Sequence, residues 1–199
     1  EVIDTYSDVA HHAVEVEGGG TRFGSGEAKI EKIELLGPSG EPTSLVNTGD
    51  AVRLRLHYRA KERITAPVFG VSIDTREGIF VWGLHGVDAC YVPTSIEPGT
   101  GHLDVNIPRL ALNPGSYTVS AAIQNHDMTS VIDALQKARR FDVLPGPGME
   151  SGGIITLGAS FSGLSPERPM RDIARRGAAD FQRLARMQAQ QADALGAED

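Results

Sequence analysis

The chain of 199 residues has one cysteine, Cys90, and one tryptophan, Trp82. A single thiol excludes an intramolecular disulfide, a CxxC redox pair and a thiolate zinc cluster, and it fits a reducing compartment. Positive charge is scarce: 19 Lys and Arg against 26 Asp and Glu leave a formal net charge of −7, which repels nucleic acid and acidic lipid and excludes both as expected partners. No apolar run approaches the roughly 18 residues of a membrane span, and the start, "EVIDTYSDVAHH", lacks the charged-then-apolar order of a signal peptide. The GxxxxGK[ST] phosphate loop, GxSxG elbow, HExxH pair and GxGxxG fingerprint are all missing from the sequence, so neither catalysis nor a cofactor is expected. Cys90 has no recognisable base and reads as an inert thiol, and the adjacent His11 and His12 lack metal-ligand spacing.

What is present, from Arg22 to Phe161, is a series of short alternating runs divided by "GPSGEP", "NTGD", "DTREG", "IEPGTG", "LNPGS" and "PGPG". This is the spacing of an all-β domain. Successive side chains of a strand point to opposite faces. In "AVRLRLHYRA" that parity sends Val52, Leu54, Leu56 and Tyr58 one way and Arg53, Arg55, His57 and Arg59 the other. "GHLDVNIP" and "SYTVSAAIQN" alternate likewise, with Leu103, Val105, Ile107, Tyr117, Val119, Ala121 and Ile123 inward. Half-buried antiparallel strands in this number predict a two-sheet β-sandwich, immunoglobulin- or jelly-roll-like.

Flanking segments complete the expectation. "EGGGTRFGSGE" reads as a flexible lead-in, Thr129 to Gln136 as a turn or short helix before the strand "ARRFDVL", and "GGIITLGASF" as a closing strand. Beyond "SPERP", Met170, Ile173, Phe181, Leu184 and Leu195 recur at helical period, which predicts an amphipathic C-terminal helix over 165–199. Its apolar stripe needs a partner surface.

Trp82 follows "GIFV", where a strand runs towards "GLHGVDACYVP". Two roles are open to it: a place in the core, or an exposed platform. Sugar rings stack an apolar C–H face on an aromatic and meet polar side chains at their rim, and Asp74, Arg76, His85, Asp88 and Tyr91 lie close in sequence. Parity also puts Ser72, Asp74, His102, Asp104, Asn106, Thr118, Ser120 and Gln124 opposite the core. One polar face shared by the strands at 70–74, 101–108 and 116–125 is therefore expected to form a side of a binding surface. The carboxylates Asp74, Glu77, Asp88 and Asp104 leave a glycosidase pair as a third reading, which needs two of them across a cleft.

The order "FGSGEAKIEKIELLGPSGEP", "VNTGDAVRLRLHY", "APVFGVSI", "GIFVWG", "LNPGSYTVSAAI" resembles the C-terminal domain of the ATPase subunits of polysaccharide ABC exporters, the Wzt type that exports O-antigen. Gly24, Gly26, Gly49, Gly70 and Gly115 match the family pattern as turn or packing residues. The opening "EVIDTYSD" looks like the end of the preceding nucleotide-binding domain, so 1–21 reads as a linker, 22–164 as the sandwich and 165–199 as a helical tail. The resemblance implies a non-catalytic domain that binds the exported polysaccharide, dimerises, and works at the cytoplasmic face of the inner membrane with a membrane-embedded exporter subunit. After "GIFVWG" the relatives commonly continue with Asn and Thr where this chain has "LHG", so its ligand contacts differ there. The glycan contacts expected in this chain are Trp82, His85, Asp74, Tyr91 and Arg76, with His102, Asp104, Asn106 and Gln124 from the polar face. The competing reading is a module that dimerises or docks the exporter without touching glycan.

Overall fold

A computed structural model describes residues 14–16, 20–160 and 162. The strands are β1 (Val14–Val16), β2 (Gly20–Phe23), β3 (Ala28–Leu36), β4 (Leu45–Asn47), β5 (Val52–Ala60), β6 (Ile64–Thr65), β7 (Val68–Thr75), β8 (Phe80–His85), β9 (Ser95–Ile96), β10 (Gly99–Ile107), β11 (Gly115–Gln124) and β12 (Val131–Leu144). No helix occurs among the described residues. The larger sheet runs β1-β2-β12-β11-β7-β8, with β4 on the far end of β12; the smaller runs β10-β5-β3; β6 and β9 pair by themselves. All ladders are antiparallel except β4 with β12.

The core follows the parity of the strands. Ile30, Leu35, Leu54 and Leu56 of the smaller sheet pack in one cluster with Val71, Ile73, Val119 and Ile123 of the larger one. Each buried aliphatic side chain contributes about 1.5–3 kcal/mol relative to exposure. At one edge of that core, Arg22 of β2 and Asp133 of β12 reach the same residue of the other sheet: the Ile30 N–H donates to Asp133 Oδ2 at 2.7 Å, and the Arg22 guanidinium donates to the Ile30 carbonyl. At the opposite end the Tyr117 hydroxyl donates to the Asn113 carbonyl at 2.7 Å. The Asn113 amide in turn holds the carbonyls of Gly152 and Gly153.

Four expectations are corrected. The glycine-rich lead-in contains β2, held on β12 by Phe23 opposite Ala134 and Arg22 opposite Leu135; ladder bonds outweigh the poor strand propensity of glycine. Gly24 is required there, because with φ +139° a Cβ would lie 2.5 Å from the Ile132 carbonyl oxygen. The segment before "ARRFDVL" is strand from Val131 onward, since the β11–β12 hairpin turns earlier, through the Asn125–Ser130 bonds. "GGIITLGASF" adds only one bridge, Leu112 with Ile155. Finally, β10 pairs with β5 and lies in the smaller sheet, so the three-strand polar face does not exist as one surface.

The chain divides into compact units Glu1–Gly158 and Ala159–Asp199. The expected tail helix lies outside the described residues, as does most of the expected linker.

Candidate functional site

Paired residues of adjacent strands share a face. On the side of the larger sheet turned away from the core, one row crosses five strands: Phe23 of β2, Ala134 of β12, Ala122 of β11, Gly70 of β7 and His85 of β8. Three small residues in the middle and two rings at the ends make a trough. The next row adds hydroxyls and an amide, with Ser72 opposite Ser120 and Thr21 Oγ1 donating to Gln136 Oε1 at 3.1 Å. Between β11 and β12 the register slips beyond Ala121, and Lys137 takes φ +51°. Its N–H leaves the ladder to donate to Ser120 Oγ at 3.0 Å.

The trough encloses about 200 Å³ and is lined by Phe23, Gly70, Ser72, Phe80, His85, Ser120, Ala122, Gln124 and Gln136, among others. Phe80 is 65% exposed. Its ring lies over Gly83, where a Cβ would sit 2.9 Å from the ring, so the glycine lets the ring lie down along the sheet. The His85 ring likewise covers Gly70, at 3.6 Å from where a Cβ would stand. Gln124 is 6% exposed, and its Oε1 is buried without a hydrogen-bond partner. An aromatic plane, a floor without bulky side chains and several neutral polar groups can hold a flat ligand with one apolar face and a polar rim.

The residues expected from sequence are dispersed. His85 and Gln124 line the trough, and Asp74 stands two places along β7 from Ser72. Trp82 lies within β8, not in a loop, opposite Ile73; the two share the core face, and Trp82 is half-buried against the core cluster. It therefore does not join His85 and Asp74, which face the other way. Tyr91 is exposed in the loop that follows β8, whose N–H donates to the Gly86 carbonyl at 2.8 Å. Arg76 is exposed in the β7–β8 turn.

His102, Asp104 and Asn106 belong to the outer face of the smaller sheet. There Asp104 takes a two-pronged bond from Arg55, at 2.7 and 2.8 Å, and Asn106 accepts from Arg53 at 2.9 Å. The Arg55 guanidinium holds the Asp104 carboxyl below the usual Asp range. His57 pairs with Glu34 at 2.7 Å, and the bonds from Lys32 and His57 lower that carboxyl too. This face is a lattice of satisfied charges. Sequence reasoning missed Phe80, Phe23 and Gln136. The signal available was the run of small residues at outward positions, Gly70, Ala122 and Ala134, which marks a depression beside any outward aromatic.

A family model described as the Wzt C-terminal domain matches residues 20–157. Among solved structures, the crystal structure of the C-terminal domain of wzt matches with TM-score 0.65 and 22% identity, over 79% of this chain and 96% of that one. A Niemann-Pick type C2 protein from Japanese carpenter ant gives TM-score 0.45 at 9% identity, over 66% of this chain and 99% of that one. Bacteroides uniformis beta-glucuronidase gives 0.40 at 12%, over 55% and 14%. These last two likenesses carry no argument. No curated protein matches.

Proposed function

The chain belongs to the Wzt C-terminal domain family, and from that premise we propose that it binds the exported polysaccharide, without catalysis, in the trough on the outer face of the larger sheet. The observation that carries this reading is the Phe80 ring, 65% exposed and laid over Gly83 beside a floor of Ala122, Ala134 and Gly70. An aromatic held open to water along a sheet forgoes burial, and stacking against the C–H face of a sugar recovers it. Ser72, Ser120, Gln136 and His85 line the trough and offer hydrogen-bond partners to ring hydroxyls.

In this reading the domain is the substrate-recognition end of an ABC exporter's ATPase subunit. It works as a dimer at the cytoplasmic face of the inner membrane, beside the membrane-embedded subunit, and couples capture of an O-antigen-type glycan to transport. The site performs no bond-breaking step. Its contribution is affinity, which presents the chain to the translocation machinery.

The test is titration of the protein with the organism's own polysaccharide, before and after Phe80→Ala. Because Phe80 is mostly solvated, the variant should keep its thermal midpoint and lose about tenfold or more in affinity, the scale of an aromatic anchor. If polysaccharide binding is absent, or unchanged in the variant, while the oligomeric state or capture of the exporter's membrane subunit changes, the ring is a protein-docking element and the glycan reading of the trough is wrong.

A further inference from the structure

The trough carries a selectivity that its family membership does not specify, and this inference rests on the glycan reading above. None of the residues lining it is Lys or Arg. Of the cations on the strands beside it, Lys137 carries its ammonium towards the β7–β8 turn, near Gly78, and Arg140 stands in the row of Thr118 and Asp74, two places beyond the row of Ser72 and Ser120. Asp74, on the same face of β7 as Ser72, adds a negative charge close by, and the whole chain carries −7. Recognition of a carboxylate or phosphate calls for a guanidinium, an ammonium, an imidazolium or a cluster of main-chain N–H groups, and of these side chains the lining offers only the His85 imidazole. A site with no guanidinium or ammonium in its lining leaves an anionic substituent without a permanent counter-charge, which is costly where water is displaced.

The second observation is Gln124. Its side chain lines the trough and is more than nine-tenths buried, yet Oε1 has no donor. A buried acceptor left unmade is a standing cost in the empty protein, and each such group calls for an explanation. The terminal torsion of a glutamine is soft, so a modest turn offers this oxygen to a hydroxyl or amide N–H seated on the Ala122–Gly70 floor. Neutral sugars supply such donors from their free ring hydroxyls. At about 200 Å³, the trough is smaller than the roughly 300–1,000 Å³ of pockets that enclose drug-sized ligands, which suits one sugar unit.

We propose that the trough selects an uncharged sugar unit, and that Gln124 is the specificity-determining acceptor that orients it while excluding uronic acids and phosphorylated sugars. The experiment uses the 15N-labelled full chain and matched probes that differ only at C6: methyl glucoside against methyl glucuronide, and the galacto and manno pairs. Amide shifts of Gly70, Ser72 and Ala122 report binding. At least one neutral probe should move these amides, with its charged partner about tenfold weaker or worse. Gln124→Leu and Gln124→Met, which keep the bulk and remove the acceptor, should weaken the neutral probe about tenfold while raising the thermal midpoint, because an unpaired buried oxygen has gone. A role confined to packing would move stability without moving affinity.

If charged and neutral probes bind alike, or the charged ones better, the selectivity is overturned and the glycan reading stands. If both Gln124 variants bind as the parent does, the assignment of Gln124 is overturned. If no probe moves the trough amides, the glycan reading of the trough falls, and this inference with it.

Discussion

Asp133 of β12 accepts a hydrogen bond from the Ile30 N–H of β3 at 2.7 Å, so a carboxylate only 2% exposed ties one sheet to the other. Arg22 stands 3.4 Å from the same oxygen. Replacing Asp133 by alanine leaves a buried N–H unpaired and strips Arg22 of its carboxylate neighbour, leaving it the Ile30 carbonyl, and the expected loss is about 2–4 kcal/mol of unfolding free energy in urea.

The same residue makes a signed prediction about pH. Burial pushes the Asp133 carboxyl above the ordinary Asp range, against the opposing pull of the Ile30 N–H and of Arg22. A pKa raised on folding contributes stability that is complete below the unfolded value and lost as pH rises through the folded one. Asp133→Asn keeps the acceptor and removes the titration. The stability of the parent relative to this variant should therefore decline as pH rises across that acid window, read by urea denaturation at a series of pH values. A flat difference would contradict the assignment.

Asp104 runs the opposite way. The Arg55 bonds lower its carboxyl, so its contribution is present above the ordinary Asp pKa and lost as pH falls through the depressed one. A carbon-detected titration should place Asp104 below the usual Asp range in the parent, and should return it towards that range in Arg55→Ala. High salt should shrink the difference, because the pair is partly solvated.

Trp82 and Phe80 sit two places apart in sequence, on opposite sides of the sheet, and predict opposite phenotypes. Trp82→Ala should cost about 2–3 kcal/mol of stability, below the ~3–5 kcal/mol of a fully buried aromatic, and leave glycan affinity within a factor of about two. A Trp82→Ala variant with unchanged stability and lost binding would return the tryptophan to the site. Ala122→Leu, which raises the trough floor, should abolish glycan binding while the thermal midpoint shifts by only a few degrees.

The reason Phe80 stands on the opposite side from Trp82 lies in the β7–β8 hairpin. Alternation within a strand was legible: Val52, Leu54 and Leu56 are buried as their parity requires, and so are Val119, Ala121 and Ile123. Which way a strand's parity faces depends on its turn, and the register shifts between Ile73 and Asp74. A one-residue slip exchanges the two faces, and no local signal in "DTREGIFVWG" announces it. The same limit applied to β10, whose alternation was plain but whose sheet was decided by β5. β2 was hidden for a different reason, since a glycine-rich strand is stable only once its neighbour exists. The family pattern reached the fold and the family, while the trough required the cross-strand row from Phe23 to His85.

The seat of β2 on β12 also sets the order in which this domain can form. Ile30 and Asp133 are 103 residues apart, and Phe23 waits for Ala134 across a similar length of chain. Such distant pairings make refolding slow, on the order of milliseconds to seconds for β-rich domains. On the ribosome, one wall of the trough is synthesised early and stays without its ladder to the rest of the sheet until β12 has emerged. A nascent chain arrested before Val131 should leave Phe23 unprotected against proteolysis, and release past Leu144 should protect it in one cooperative step.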